Sequence, residues 1–264
     1  MEETLQYPMR LTRTLYMPKE NFASRNYYYK TSFAEATTKL KMFTYSIAGL
    51  FLALHLSSGF NIIGKDVPDV CRQGHQYMGY GAHRAFLEAH NNRRALLAEG
   101  KVETKPGETL PEAANMRFMA YDCDLEEEAT KLTPNCKEFP SETQFNKTRT
   151  NFAKIASRIN NGGITVAEEA VSEWWNKKSE WNNPMKITEA DVSAILFFLV
   201  AQAKTDRFGC SVNYCPNGDN SYYNIACIYG RRVKVGKRLY QKGTPCSNCT
   251  EGYKQYRNVL CKEP

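Results

Sequence analysis

The stretch ILFFLVAQAKTDRFGCSVNYC, residues 195–215, decides how this chain folds. It opens as an unbroken apolar run, passes through the charged turn KTDR at 204–207, and ends in a segment carrying Gly209, Cys210 and Cys215. Residues Thr188 to Phe198 predict a helix, and Arg207 to Val212 a strand. NGDN at 217–220 is a hairpin-turn signal. The returning strand is SYYNIACIYG at 221–230, rich in aromatic and β-branched residues. The stretch therefore joins a greasy core element to an antiparallel hairpin, and the question it raises is whether the apolar run is core alone or once carried a site.

Moving outward, helical periods dominate upstream. In HRAFLEAHNNRRALLAEG (83–100), Phe86, Ala89, His90, Leu96 and Leu97 recur near helical spacing, and Gly100 closes the segment as a left-handed C′ residue. In NMRFMAYDCDLEEEATKL (115–132), Asp124 with Glu127 three residues later is a capping-box signature, so a second helix is predicted from about Leu125. Thr165 with Glu168 repeats it before VAEEAVSEWWNKKSEW (166–181), where Ala167, Ala170, Val171, Trp174 and Trp175 make one broad apolar face. Helices with a short antiparallel hairpin point to an α+β layered domain.

Composition narrows the function classes. With 264 residues, 42% hydrophobic and 24% charged, the chain can bury a sizeable core, and no part is patterned as a second domain. The formal charge is +7, but Lys and Arg are scattered without a run of five or six, which argues against a nucleic-acid groove. Nine cysteines, at 71, 123, 136, 210, 215, 227, 246, 249 and 261, all lie downstream of one apolar segment. That distribution suggests an oxidising destination.

The apolar segment, KLKMFTYSIAGLFLALHLSSGF, has Lys39 and Lys41 before Met42 and a core from Ile47 to Leu56. This suits a signal-peptide core and falls short of the about 20 residues a membrane-spanning helix needs. Ser57, Ser58 and Gly59 offer a cleavage site. The expected organisation is an N-terminal extension at 1–41 that reflects a misassigned start, with translation beginning at Met42, then a signal peptide at 42–59, a lead-in at 60–79 and a domain from residue 80. A signal anchor with a basic cytoplasmic tail is the alternative.

The landmarks FLEAHNNRRALLAEG, MAYDCDLEEEA, AVSEWWNKKSEW, KTDRFGCSVNYC and YYNIACIYGRRVKVGKRLYQKGTPCSNC, taken in order over Tyr80 to Cys261, resemble the CAP superfamily. This superfamily holds cysteine-rich secretory proteins, insect venom antigen 5 and plant pathogenesis-related proteins, and the chain looks most like the activation-associated secreted proteins (SCP domain) of parasitic nematodes. The resemblance implies a three-layer α-β-α sandwich at 80–232, with a short antiparallel sheet between helices, followed by a Cys-rich C-terminal hinge at 233–264. It implies secretion, and disulfides pairing Cys136 with Cys215 and Cys210 with Cys227. Cys71, Cys123, Cys246, Cys249 and Cys261 remain, and an odd number leaves one free or intermolecular.

The same resemblance bears on the opening run. Typical members present two His and two Glu to an open cleft that can hold a divalent metal. The aligned positions here carry Leu196 and Pro140 for the imidazoles, and Thr150 and Lys177 for the carboxylates. Zinc needs imidazole, thiolate or carboxylate donors converging at about 2.0–2.3 Å, and these four supply none. No metal and no cofactor are expected, and the run reads as a repacked wall. His90 and Asn91 match a structural His-Asn pair of the family. His75 and His83 flank GHQYMGYGAH and read as solvated surface. Asn146 and Asn248 head glycosylation sequons.

The function these readings imply is that of a secreted, non-enzymatic CAP-domain glycoprotein acting outside the cell by recognition of an unidentified protein or lipid, with host immune modulation by a parasitic nematode as the setting. The alternative is a sterol or fatty-acid carrier, which an apolar pocket lined by Leu196, Phe197 and Trp175 would favour. No catalytic constellation, no nucleic-acid partner and no stable membrane span are expected.

Overall fold

β6, Tyr222–Tyr229, organises the architecture. Tyr223, Ile225, Cys227 and Tyr229 belong to the main apolar core, whereas Ala226 and Ile228 belong to a smaller one. A strand turns successive side chains to opposite faces, so one buried on both faces must be covered by helices on both. The computed structural model of the chain describes residues 71, 77–136, 139, 148–158, 162–182 and 186–264. The N-terminal extension, the signal peptide, most of the lead-in, His75, Pro140 and Asn146 lie outside the described residues.

β5, Arg207–Cys215, runs antiparallel to β6 with Cys210 opposite Cys227. β4, Thr150–Ala156, pairs antiparallel with the other edge of β6, and the two-residue β3, Ala120–Tyr121, lies parallel to β5. The order is β3-β5-β6-β4, and a separate small hairpin pairs β1, Glu103–Lys105, with β2, Glu108–Thr109. The sheet is therefore mixed rather than wholly antiparallel. β3 is too short to show any alternation in sequence, and β4 hides because its inward residues Asn151, Ala153 and Ile155 begin with an amide and an alanine.

Helix α2, Cys123–Thr130, covers one face, setting Leu125 and Ala129 over Ala226 and Ile228. The other face carries α1, Tyr80–Ala98, α3, Gly163–Asn176, and α4, Ile195–Ala201. This is the α+β three-layer sandwich. α1 ends where Gly100 takes φ +67°, a left-handed conformation that glycine adopts without steric cost.

Two helix starts differ from expectation. α2 is capped by Asp122, whose backbone is extended and whose carboxylate accepts the N–H groups of Asp124 at 3.0 Å and Leu125 at 3.1 Å. Asp124 is already helical, so it cannot cap. α3 starts two residues before Thr165, because Gly163 packs where a Cβ would stand 2.4 Å from the Tyr77 carbonyl oxygen. Only a glycine permits that approach. The helix expected over Thr188–Phe198 is divided: a capping box between Thr188 and Asp191 opens a 3₁₀ segment, Glu189–Ala194, and α-helical geometry begins at Ile195.

The C-terminal residues pack on the same core through Val233, Leu239, Tyr240 and Leu260. They carry a small hairpin, β7, Lys254–Tyr256, with β8, Leu260–Lys262. Four disulfides join Cys71 with Cys123, Cys136 with Cys215, Cys210 with Cys227 and Cys249 with Cys261, leaving Cys246 as a buried thiol. Among the described residues, no helix is long and apolar enough to cross a membrane.

Candidate functional site

The chain around Leu196 is built from three elements. Leu196 sits in α4, partly buried, between Ile195 and Phe197, which are fully packed. Asn151, the second residue of β4, donates its amide N–H to the Leu196 carbonyl at 2.9 Å and to the Tyr229 hydroxyl at 3.2 Å. Lys177 closes α3, and its ammonium binds Glu180 at 2.7 Å. That hydrogen bond holds the Glu180 carboxyl below its ordinary range. The Lys177–Glu180 turn packs against α4.

The side chain that reaches α4 from β4 is thus an amide at 151, while Thr150 is half-buried at the head of the strand. Strand alternation turns Thr150 the other way. Of the four aligned positions, Leu196 lies on α4, Thr150 at the head of β4 and Lys177 at the end of α3, elements that pack on one another. None of these three side chains is an imidazole, thiolate or carboxylate.

Behind this wall runs a polar chain anchored on α1. His90 is fully buried, with Nδ1 2.8 Å from the Phe86 carbonyl and Nε2 3.0 Å from the Tyr229 hydroxyl. A carbonyl only accepts, so Nδ1 carries the proton and Nε2 accepts from Tyr229. Burial depresses its pKa to about 3, which keeps the ring neutral, and burial likewise raises that of Tyr229. Donation therefore runs in one direction from Asn151 on β4 through Tyr229 to His90 on α1, while the same Asn151 amide also donates to α4. Four residues along, Arg94 is fully buried and donates to five backbone carbonyls, those of Arg117, Val200, Gln202, Ala203 and Thr205. It ties the end of α4 and the entry to β5 onto α1.

A second cluster departs from the sequence expectation. His83, read as solvated surface, is instead fully buried with its Nε2 2.7 Å from Glu126 of α2. The correction follows from where α1 begins: a helix from Tyr80 places His83, Phe86, His90 and Arg94 on one buried stripe. The Tyr121 hydroxyl stands 2.5 Å from the same carboxylate and accepts the Cys210 N–H at 3.1 Å. Cys71, His83 and Glu126 bring ligand atoms within 4.8 Å of one another, as do Cys246, Cys249 and Cys261. In the first group the sulfur is bonded to Cys123, and in the second two sulfurs are bonded to each other, so neither offers a thiolate set.

The apolar residues that would line a lipid pocket are packed against one another. The Phe197 ring lies 5.0 Å from that of Trp175 and 6.0 Å from that of Trp181, and is fully buried. An apolar crevice between α1 and the C-terminal hairpin, bounded by Leu87, Phe118 and Tyr256, encloses about 30 Å³, room for about one water molecule. Asn248 is exposed, with its amide donating to Gln241.

Residues 87–229 match the family model of CAP, the cysteine-rich secretory protein family. The chain is 29% identical to hookworm platelet inhibitor 1 of Ancylostoma caninum over 63% of its own length and 72% of the relative's. It is 27% identical to Ancylostoma secreted protein of the same hookworm, over 72% of this chain but only 46% of that protein. Among solved structures, that of NaASP2 with Zn²⁺ superposes with a TM-score of 0.58 at 26% identity, covering 70% of this chain and 97% of that one.

Proposed function

The chain belongs to the cysteine-rich secretory protein (CAP) family, and from that premise we propose that it is a secreted protein that acts outside the cell by recognition, without metal chemistry or catalysis, at a parasite–host interface. The observation that supports this is the set of side chains around α4: Leu196 cannot ligate, Thr150 faces away, and Lys177 adds a cation already paired with Glu180. A divalent ion beside that ammonium is repelled. Pro140 belongs to the same set by alignment. The four disulfides and the kinship to secreted hookworm proteins support an extracellular destination. Asn146 and Asn248 are the proposed glycosylation positions.

Calorimetric titration of the untagged, disulfide-bonded protein with zinc tests the reading. The expected result is no stoichiometric binding, and Leu196→His is expected to create none, because one imidazole lacks the other ligands and the groups that orient it. Sub-micromolar binding to the unmodified protein, which at 100 times Kd would stabilise it by about 2.7 kcal/mol, overturns the proposal.

A further inference from the structure

Residues 231–241, RRVKVGKRLYQ, leave the sheet at the end of β6 and cross the surface in a non-repetitive course. Val233, Leu239 and Tyr240 are buried, while Arg231, Arg232, Lys234, Lys237 and Arg238 stand exposed between them. Apolar anchors at this spacing leave the intervening side chains nowhere to point but outward. The backbone is pinned as well: Gly236 N–H donates to the Ile187 carbonyl at 2.9 Å, Ile187 N–H to that of Lys237 at 3.0 Å, and Ala203 N–H to that of Leu239 at 3.0 Å. This is a fixed wall.

The wall faces Lys204, which precedes β5, and Arg149, which precedes β4, across a cleft of about 700 Å³. Seven cations line it, and its lining contains no Asp or Glu. Seven of the chain's 35 Lys and Arg gather here with none of its 28 Asp and Glu. Arg149 is paired with Glu128, whereas Lys204, Arg231, Lys234, Lys237 and Arg238 form no ion pair among the described residues. Holding like charges together is unfavourable unless an anion arrives, and a concave site focuses the field that attracts one.

We infer that this cleft binds a sulfated polysaccharide of the glycosaminoglycan type. The inference rests on the reading of an extracellular recognition protein and names a partner class for it. The lining distinguishes this ligand from other polyanions. Single-stranded nucleic acid requires exposed aromatic rings on which bases stack. The one aromatic residue here, Tyr240, is buried, with its hydroxyl donated to the Pro111 carbonyl at 2.8 Å. An anionic membrane surface is matched by exposed apolar side chains beside the cations, and among the described residues the exposed large apolar ones, Tyr80, Leu96, Leu132, Ile164 and Val192, all belong to other parts of the chain. Arg and Lys on a pinned backbone, with Asn115, Gln202 and Gln241 as neutral donors, suit closely spaced sulfates on a hydroxylated chain.

The test uses the intact disulfide-bonded protein and a size-defined heparin oligosaccharide, with affinity measured as a function of salt. About five ionic contacts predict roughly a hundredfold loss of affinity between about 50 and 200 mM salt. Reversing Arg231, Lys234, Lys237 and Arg238 to Glu is expected to weaken binding at least about tenfold beyond a control in which exposed Lys101, Lys131, Lys186 and Lys254 are reversed, matching the change in net charge. Equal losses in the two variants, salt-independent binding, or no heparin binding by the unmodified protein would each overturn the inference. So would equal affinity for a desulfated oligosaccharide or for single-stranded DNA. Because Leu196, Thr150 and Lys177 are not part of the cleft's lining, a negative result here leaves the zinc titration free to decide the broader proposal by itself.

Discussion

At the scale of single residues, His90 and Arg94 carry the consequences of burial most directly. The His90 ring has both nitrogens committed, so a second proton would face the Tyr229 oxygen with no solvent to share the charge. Its pKa lies near 3 in the fold against 6.5 unperturbed, mainly through desolvation. Between those values the unfolded chain binds the extra proton, so the stability is full above about pH 6.5 and is lost as pH falls toward 3. The slope from this one group approaches about 1.4 kcal/mol per pH unit, or about 2 kcal/mol between pH 6.5 and 5. Denaturant unfolding at pH 7 and pH 5 should show His90→Gln less stable at the higher pH but with a flatter pH dependence. Parallel slopes would place the acid sensitivity elsewhere. Arg94 poses a geometric demand instead: five carbonyls converge on one planar guanidinium. Lysine presents one nitrogen, and each buried carbonyl left unpaired costs about 1–3 kcal/mol, so Arg94→Lys should lose more than about 3 kcal/mol. A loss under about 1 kcal/mol would show that water replaces the guanidinium.

At the scale of elements, the packing of α2 on the sheet depends on the bare backbone of Gly209. A Cβ there would stand 2.2 Å from the Glu126 nitrogen and 2.5 Å from the Asp122 carbonyl oxygen, both main-chain atoms of the first turn of α2. Side chains give way cheaply; a helix turn does not. Gly209→Ala is therefore expected to push α2 off β5 and destabilise by about 3 kcal/mol or more, and an unchanged melting temperature would refute the close approach. The same elements mark what the sequence made legible. The α3 face from Ala167 to Trp175 and the β5–β6 hairpin were readable because burial on one side imposes a period. β4 was not, since an amide and an alanine occupy inward positions, and the cap at Asp122 was obscured by Asp124 two residues on. His83 was misplaced because it precedes the strongest helical pattern, although the stripe through Phe86 and His90 already pointed to it. The basic cleft was invisible for another reason: its cations are diluted by Val233, Val235, Leu239 and Tyr240, and Lys204 and Arg149 join them only once the sheet has formed.

For the whole molecule, covalent closure ranks the segments by how much freedom each loses. The Cys136–Cys215 bond spans 79 residues and ties the end of the α2 region to the far end of β5, whereas Cys249–Cys261 spans 12 and ties the segment before β7 to β8. The chain-entropy account assigns about 4.5 kcal/mol to a loop of the first size and about 3 kcal/mol to one of the second. Replacing Cys136 and Cys215 together by Ser should accordingly lower the melting temperature further than replacing Cys249 and Cys261, and the reverse order would mean that local strain or packing outweighs closure. The ninth cysteine supplies an internal check on the pairing. Cys246 is buried, and burial raises its thiol pKa, so it is a poor nucleophile while the fold persists. Alkylation of the unreduced protein should be slow under native conditions and, in denaturant at a pH low enough to suppress exchange, should stop at one group per chain, carried by the peptide containing Cys246. Two or more modified cysteines, or rapid labelling of the native protein, would contradict the four-disulfide framework that holds the sandwich and its basic cleft in place.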